Sequence, residues 1–575
     1  MRSSSDFNLV SVLKSFLETG EDILHRFDQA CSGSAQRERD APSLGALPFP
    51  DAQKRYLLPA EHLWEMWRSI VLSSFGLEVK PSAAERKADT RFKDAMWSEI
   101  PYFETLKQTY LVGINSLHEL VEHAAVDQRT RMKLRFYARL YAEAISPSNF
   151  AATNPEVIRE AVRSRGESLM NGVKNLIEDI QKGHITTTDE GSFTVGGNLA
   201  VTPGYVVFEN ELIQLIQYAP ATEAVGSVPI LIVPPCINKF YIFDLTEDNS
   251  FVRYLLGQGH SVFLISWRNP DSALGHLTWD DYVELGVLQA LNVVVEIAGS
   301  PKAHALGFCV GGTILGCAAA VLAAQGEEKL ASLTLLTTML DFDDTGDLGL
   351  LLDEPYVLAC EAKIGKGGLL PGKELGLVFS MLRANDLIWS YVVNNYLKGA
   401  TPDAFDLLYW NSDSVNLPGP MYCWYIRNTY LENNIKSPNR TTQCGVRIDL
   451  SRIAVPTYLL AAREDHIVPW RTAYATSRTV GKRTRFVLAA SGHVAGVINP
   501  PSRNKRNYWV NEELSPTAEA WLSNAEERSG SWWPDWDQWL KKQWSGTKPA
   551  PTEFGNARFR PIEPAPGRYV RVETE

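Results

Sequence analysis

Ala303-His304-Ala305-Leu306-Gly307-Phe308-Cys309-Val310-Gly311-Gly312-Thr313 joins a short strand-like run to a helix rich in small residues. The spacing Gly307-x-Cys309-x-Gly311 predicts a sharp strand-to-helix turn with cysteine at its apex, the arrangement called a nucleophile elbow. Glycines two positions on either side let backbone and helix approach without Cβ clashes. The N–H of Val310, next after the cysteine, can meet an oxyanion, and the helix N-terminus adds positive potential. A thiol there favours acyl transfer through a thioester, because thiolate is a strong nucleophile and its pKa falls at a helix N-terminus. The same motif also fits a buried cysteine in a tight turn, so a base, an acid and the strand order must decide.

Outward from the elbow, short apolar runs alternate with helical stretches from about residue 200 onward. Runs 229–233, 261–266, 303–308, 332–337, 456–461 and 485–490 predict buried parallel strands, with helices such as 281–298 and 313–324 between them. That is an α/β pattern with a mostly parallel sheet. Between 340 and 449 the alternation breaks into aromatic-rich loops. An insertion there predicts a cap above the strand C-termini, where such sheets place their sites. Residues 1 to about 190 look mainly helical instead. Phe7, Val10, Leu13, Phe16 and Leu17 recur at helical spacing, as do Tyr110, Ile114, Leu117 and Val121, and a helix is expected over 157–181. Residues 31–50 read as a linker, which leaves 1–50 partly flexible. The expected domains are therefore 1–190 and 191–575.

Two further residues complete a constellation. Asp465 follows the 456–461 strand, and His493, in Ser491-Gly492-His493, follows the 485–490 strand. Both would arrive at the sheet edge toward which Cys309 points. Nucleophile, acid, histidine is the chain order of α/β-hydrolase triads. Asp465 alone could equally be a turn aspartate before a helix. Pro234-Pro235-Cys236-Ile237-Asn238-Lys239-Phe240, after the 229–233 strand, could supply a second oxyanion donor from the N–H of Ile237 or Cys236. Among the other histidines, His466 neighbours Asp465 and would at most support it, and His304 is expected to face the sheet packing. No cluster has metal-ligand spacing, so no metal is expected.

Composition narrows the class. A chain of 575 residues is too long for one hydrophobic core. A hydrophobic content of 45% with 21% charged residues describes a folded globular protein, and a net charge of -11 argues against a nucleic-acid surface. Seven cysteines without CxxC pairing fit a reducing cytoplasm. Neither a signal peptide nor an apolar stretch long enough to span a bilayer is read, so a cytoplasmic location is expected.

These residues resemble the polyhydroxyalkanoate synthases, and among them the single-subunit class I enzymes. The resemblance rests on Pro234–Ile242, Ser266-Trp267-Arg268-Asn269-Pro270-Asp271, the cysteine segment Gly307–Gly312 and Thr337-Thr338-Met339-Leu340-Asp341-Phe342. It also rests on Tyr409-Trp410-Asn411-Ser412-Asp413, the segments around Asp465 and His493, Ala565-Pro566-Gly567-Arg568-Tyr569-Val570 and the block 137–150. It implies a polymerase of (R)-3-hydroxyacyl-CoA with short acyl chains, such as 3-hydroxybutyryl-CoA. Coenzyme A would be part of the substrate and a product, and no cofactor is needed. Cys309 would carry the acyl group and polyester, His493 would deprotonate thiol and 3-hydroxyl, and Asp465 would orient His493, although a direct role on the hydroxyl is also open. Val310 and Ile237 N–H would hold the oxyanion. Lys239 and Arg268 are candidates for binding the polyanionic substrate or for ordinary surface pairing. The implied partners are the growing polyester, the granule surface, granule-associated proteins and a second copy in an active homodimer. The tryptophans at 532, 533, 536, 539 and 544 read as core packing or polymer contact, and Tyr409, Trp410, Tyr422, Trp424 and Tyr425 as lining the cap or a dimer contact. A thioesterase or intracellular polyester depolymerase on the same fold is the rival activity. A granule-coating protein with a dead site is the non-enzymatic one.

Overall fold

The computed structural model describes residues 89–481 and 483–573; the expected apolar helix at 7–17 and linker at 31–50 lie outside them. The chain divides into two compact units, one ending at Thr187 but taking in Arg383–Asp403, the other made of Thr188–Leu382 and Ala404–Glu575. The segment 383–403, which lies within the 340–449 insertion in sequence, thus clusters with the helices.

The helical unit contains α1 (Pro101–His123), α2 (Gln128–Ala144), α3 (Pro155–Arg163) and α4 (Glu167–Lys182). Local sequence sets their starts. Pro101 opens α1, Asp127 accepts the Thr130 N–H at the head of α2, and Asn154 accepts N–H groups of Glu156 and Val157 before Pro155. The single helix expected over 157–181 is instead two, because Arg165 (φ 54°) and Gly166 (φ 89°) adopt left-handed backbone between α3 and α4. Tyr110 joins α1 to α2 by donating to the Ala142 carbonyl at 2.6 Å. Tyr396 donates to Asp179 at 2.6 Å, and Asn395 to the Thr186 carbonyl at 2.7 Å, tying 383–403 to α4.

The second unit is built on an 11-stranded sheet. In chain order its strands are β1 (Gly204–Glu209), β2 (Ile213–Tyr218), β3 (Ile230–Val233), β4 (Val262–Trp267), β5 (Ala303–Phe308) and β6 (Leu330–Leu336). They continue with β7 (Thr457–Ala462), β8 (Thr484–Ala489), β9 (Asn507–Val510), β10 (Glu526–Ser529) and β11 (Glu563–Pro564). The spatial order is β10-β9-β8-β7-β6-β5-β3-β4-β2-β1-β11. Strands β4, β3, β5, β6, β7 and β8 run parallel, and the flanking strands are antiparallel. Every residue of β3, β4, β5 and β7 is buried, as parallel strands covered on both faces require. Each expected strand is present, displaced by at most a residue or two.

Register then aligns the strand ends. Val233 pairs with Gly307, Phe308 with Leu336, and Ala462 with Ala489. The loops that follow β3, β5, β7 and β8 therefore leave the sheet at one edge. Helix α5 (Val310–Gln325) follows β5 directly, and α6 (Trp470–Thr479) follows the loop after β7. Near the C-terminus, α7 (Trp533–Lys541) packs on the sheet. Trp532, Trp533 and Trp536 are buried in the main core, and their indole N–H groups find the carbonyls of Gly496 and Val497 and the Thr334 hydroxyl. These three tryptophans are core residues.

Between β6 and β7 the insertion, outside 383–403, rests on the same sheet edge. Val415 N–H donates to the Ile237 carbonyl at 2.7 Å, and Met421 N–H to the Leu277 carbonyl at 3.2 Å. Trp424 and Tyr425 stack on Trp279 with ring centroids 4.8 and 5.4 Å away. Among the described residues, no helix is long and apolar enough to cross a membrane.

Candidate active site

Cys309 stands between β5 and α5 with φ 54° and ψ −129°, the strained backbone of a residue at the apex of a sharp turn. Its N–H donates to the Leu336 carbonyl at 3.0 Å, and its carbonyl accepts the Gly312 N–H at 2.9 Å. The elbow tolerates no side chain at two neighbours. A Cβ on Gly307 would come 2.5 Å from the Gly312 Cα, and one on Gly311 would collide with the Pro234 carbonyl oxygen. The second clash shows how closely the loop after β3 lies against the first turn of α5.

His493 reaches the elbow from the loop after β8, with Ser491 at φ 80° making the turn. Its ring stacks on Phe308 with centroids 5.3 Å apart and an interplanar angle of 27°. Nδ1 lies 2.7 Å from Asp465 Oδ2, which leaves Nε2 as the ring nitrogen free of the carboxylate, and Cys309 is near enough to act on the ring electrostatically. Burial works to lower the His493 pKa, but the Asp465 carboxylate and Cys309 outweigh it and push it up to about 10. The Asp465 side chain is wholly buried, and its Oδ1 accepts the N–H groups of Ile467 and Val468, each at 2.8 Å. Asp465 is thus both a turn aspartate and the partner of His493; the two sequence readings describe one residue.

The loop after β3 is held throughout. Trp267 Nε1 donates to the Pro234 carbonyl at 2.9 Å, and Trp410 Nε1 to the Lys239 carbonyl at 2.7 Å. Cys236 is buried, and that burial, with Cys309 beside it, drives its thiol pKa far up, so it stays protonated. Lys239 turns inward: it is 2% exposed, and its ammonium donates to the Val572 carbonyl with Asp413 Oδ1 4.0 Å away. Arg268 pairs with Asp271 at 3.0 Å and lies over the Tyr569 ring. The structure therefore gathers Cys309, His493 and Asp465 but leaves Lys239 occupied within the fold.

Tyr430 was not among the residues singled out in the sequence. Its ring packs on Phe342 at 5.1 Å and on Tyr425 at 5.8 Å, and burial, Cys309 and Asp465 drive its phenol pKa up. It lies in the insertion, where no periodicity marks which aromatics are buried together. His304 is buried in the sheet with Nδ1 2.8 Å from the Ser332 hydroxyl. A second buried pair, His260 Nε2 to Asp537 Oδ1 at 2.7 Å, sits before β4 at the opposite edge of the sheet.

Residues 88–255 match the family model described as the N-terminus of poly-beta-hydroxybutyrate polymerase (PhaC), and residues 229–500 match the alpha/beta hydrolase fold. The chain is 51% identical to the poly(3-hydroxyalkanoate) polymerase subunit PhaC of Cupriavidus necator, over 91% of this chain and 88% of that protein. The chain belongs to the poly(3-hydroxyalkanoate) polymerase family. A polymerase of Methylorubrum extorquens is 42% identical over 88% of this chain and 85% of its own, and polymerase 1 of Ectopseudomonas oleovorans 34% over 93% and 95%. Among solved structures, a monoacylglycerol lipase of Paleococcus ferrophilus aligns at 15% identity and TM-score 0.32, covering 49% of this chain and 91% of the lipase. As a poly(3-hydroxyalkanoate) polymerase the chain is an acyltransferase, with an α/β-hydrolase domain behind a helical N-terminal region.

Proposed function

We propose that the enzyme polymerises short-chain (R)-3-hydroxyacyl-CoA, such as 3-hydroxybutyryl-CoA, as a class I polymerase working through a Cys309 thioester. The observation that carries this is the Asp465–His493 pair, 2.7 Å apart, with the His493 ring stacked on Phe308, the residue that precedes Cys309 at the head of α5. In loading, His493 Nε2 takes the thiol proton and the thiolate attacks the acyl-CoA carbonyl. The Cys–acyl bond forms, the acyl–CoA bond breaks, and coenzyme A leaves with the proton from His493. One thioester replaces another, so the step needs stabilisation of the oxyanion rather than net driving force. The donors are the N–H groups of Val310 and Ile237, a pairing supported by the contact of Gly311 with Pro234.

Elongation uses an alcohol, a poorer nucleophile than thiolate, so a base is required. His493 accepts the proton of the incoming 3-hydroxyl as its oxygen attacks the Cys309 thioester; an ester forms and the Cys309 thiolate is released. Reloading of the lengthened thioester onto Cys309 expels the next coenzyme A. Both oxygens of Asp465 are already engaged, one by His493 and one by two backbone N–H groups, so Asp465 acts through His493 and not on the hydroxyl. In this reading the buried cluster of Tyr430, Phe342 and Tyr425 in the insertion serves to keep water from the thioester.

The growing product is an apolar polyester, and the helical unit is where we place its granule contact. Met170, Val173, Ile177 and Ile180 on α4 are 71, 52, 50 and 49% exposed and fall on one helical stripe. Incubation with (R)-3-hydroxybutyryl-CoA tests the main reading. Turbid polymer with free coenzyme A is the expected result; soluble 3-hydroxybutyrate in its place would make the enzyme a thioesterase.

A further inference from the structure

The loop that carries Ile237 is clamped by the end of the chain. After β11 pairs with β1, residues 569–573 reach the loops that leave β3 and β4. Tyr569 N–H donates to Gln214 Oε1 at 3.2 Å and its hydroxyl to the Asn210 carbonyl at 2.8 Å, which fixes the path. The next residues meet two loops at once. Lys239 reaches the Val572 carbonyl from the loop after β3, and Asn269 Nδ2 reaches the Glu573 carbonyl at 3.1 Å from the loop after β4. The far side of Asn269 continues the network, its Oδ1 accepting the Asn416 N–H at 3.0 Å, while Val415 N–H holds the Ile237 carbonyl at 2.7 Å.

Burying an ammonium costs several kcal/mol unless charge and hydrogen bonds offset it. Here a main-chain carbonyl supplies the bond, and Asp413 supplies charge from 4.0 Å while also accepting the Tyr241 hydroxyl at 2.9 Å. A residue placed for core packing alone would not need that charge. The lysine sits two positions after Ile237, so its anchorage restricts where the Ile237 peptide can lie.

We infer that Lys239 and the tail carbonyls of Val572 and Glu573 form a strap that positions the Ile237 N–H against the nascent oxyanion. Lys239 is a positioning residue: it touches neither substrate nor sulfur. The inference rests on the proposed thioester mechanism. Loss of the strap lets the donor drift by a fraction of its hydrogen-bond length, and misplacement of that kind costs roughly 10- to 100-fold in turnover.

The test is a cycle of Lys239→Met, deletion of residues 572–575, and both together, each assayed for coenzyme A release from (R)-3-hydroxybutyryl-CoA alongside thermal melting. Each single change is expected to lower kcat about 10-fold or more with KM within about twofold. The double variant should be no worse than the poorer single one, and Lys239→Arg, which can still donate to the tail, should recover part of the rate. Additive losses, or unchanged kcat in either folded variant, overturn the strap. If Lys239→Met does not fold, the deletion decides alone: a lowered melting temperature with unchanged kcat overturns it. An inactive wild-type chain would instead defeat the thioester reading itself.

Discussion

Asp465 divides its carboxylate between two tasks: Oδ2 meets His493 Nδ1 at 2.7 Å, while Oδ1 accepts the N–H groups of Ile467 and Val468. The turn that orients the acid is thus built from the acid itself. Asp465→Asn would offer an amide N–H to a nitrogen that should be donating, and so favour the wrong imidazole tautomer. We expect kcat to fall by roughly 10³- to 10⁴-fold with KM nearly unchanged, measured as coenzyme A release.

His493 also links the site to stability. Its folded pKa is raised, so its contribution is fully present below the unfolded value and disappears as pH climbs toward about 10. Urea titrations of wild type and His493→Gln should show the wild-type advantage shrinking between about pH 6.5 and pH 10. A gap that widened over that range would contradict the assigned direction.

Asp244 gives a second pH signature, remote from the chemistry. Burial raises its pKa to about 6 even though Ser250 and Thr202 hydroxyls donate to it. The folded chain then holds a proton that the unfolded chain releases, so this group costs stability as pH rises from about 4 to 6. Asp244→Asn removes that dependence. Between pH 4 and pH 7 the wild type should lose about 2 kcal/mol more than the variant in denaturant unfolding.

Gly311→Ala addresses the elbow. The added methyl meets the Pro234 carbonyl oxygen, so α5 and the loop after β3 must separate. A loss of at least about 10-fold in kcat is expected, with destabilisation of about 1–3 kcal/mol. Normal turnover in the variant would show that this contact does not hold the oxyanion donors.

Tyr430→Ala should change the fate of the thioester more than its formation. Removing this ring opens the cluster it forms with Phe342 and Tyr425 to water, so coenzyme A release persists while soluble 3-hydroxybutyrate rises relative to polymer. Chromatography of the soluble products reads the ratio directly.

Much of the catalytic unit was legible along the chain because parallel strands buried on both faces read as short apolar runs. Those runs placed Cys309, Asp465 and His493 just past strand ends, in hydrolase order. The helical region was read less well at α3 and α4. There the apolar spacing continues through Ser164-Arg165-Gly166, and periodicity does not register a left-handed turn at Arg165. The insertion was harder still. Its residues 383–403 cluster with the helices through pairs such as Tyr396 and Asp179, far apart in sequence and carrying no shared pattern.

What the amino-acid order settled unaided was local: the glycine spacing of an elbow, the alternation of strand and helix, and family segments specific enough to point to a polymerase. Each of these depends on neighbours within a few positions. Contacts between distant residues waited for the folded chain. Only there does Lys239, which reads as a surface cation, turn into the interior to meet Val572, and only there does Tyr430 pack against Phe342 and Tyr425. A side chain's direction depends on which loops share a sheet edge, and that is decided by strand order and register, to which all the strands contribute together.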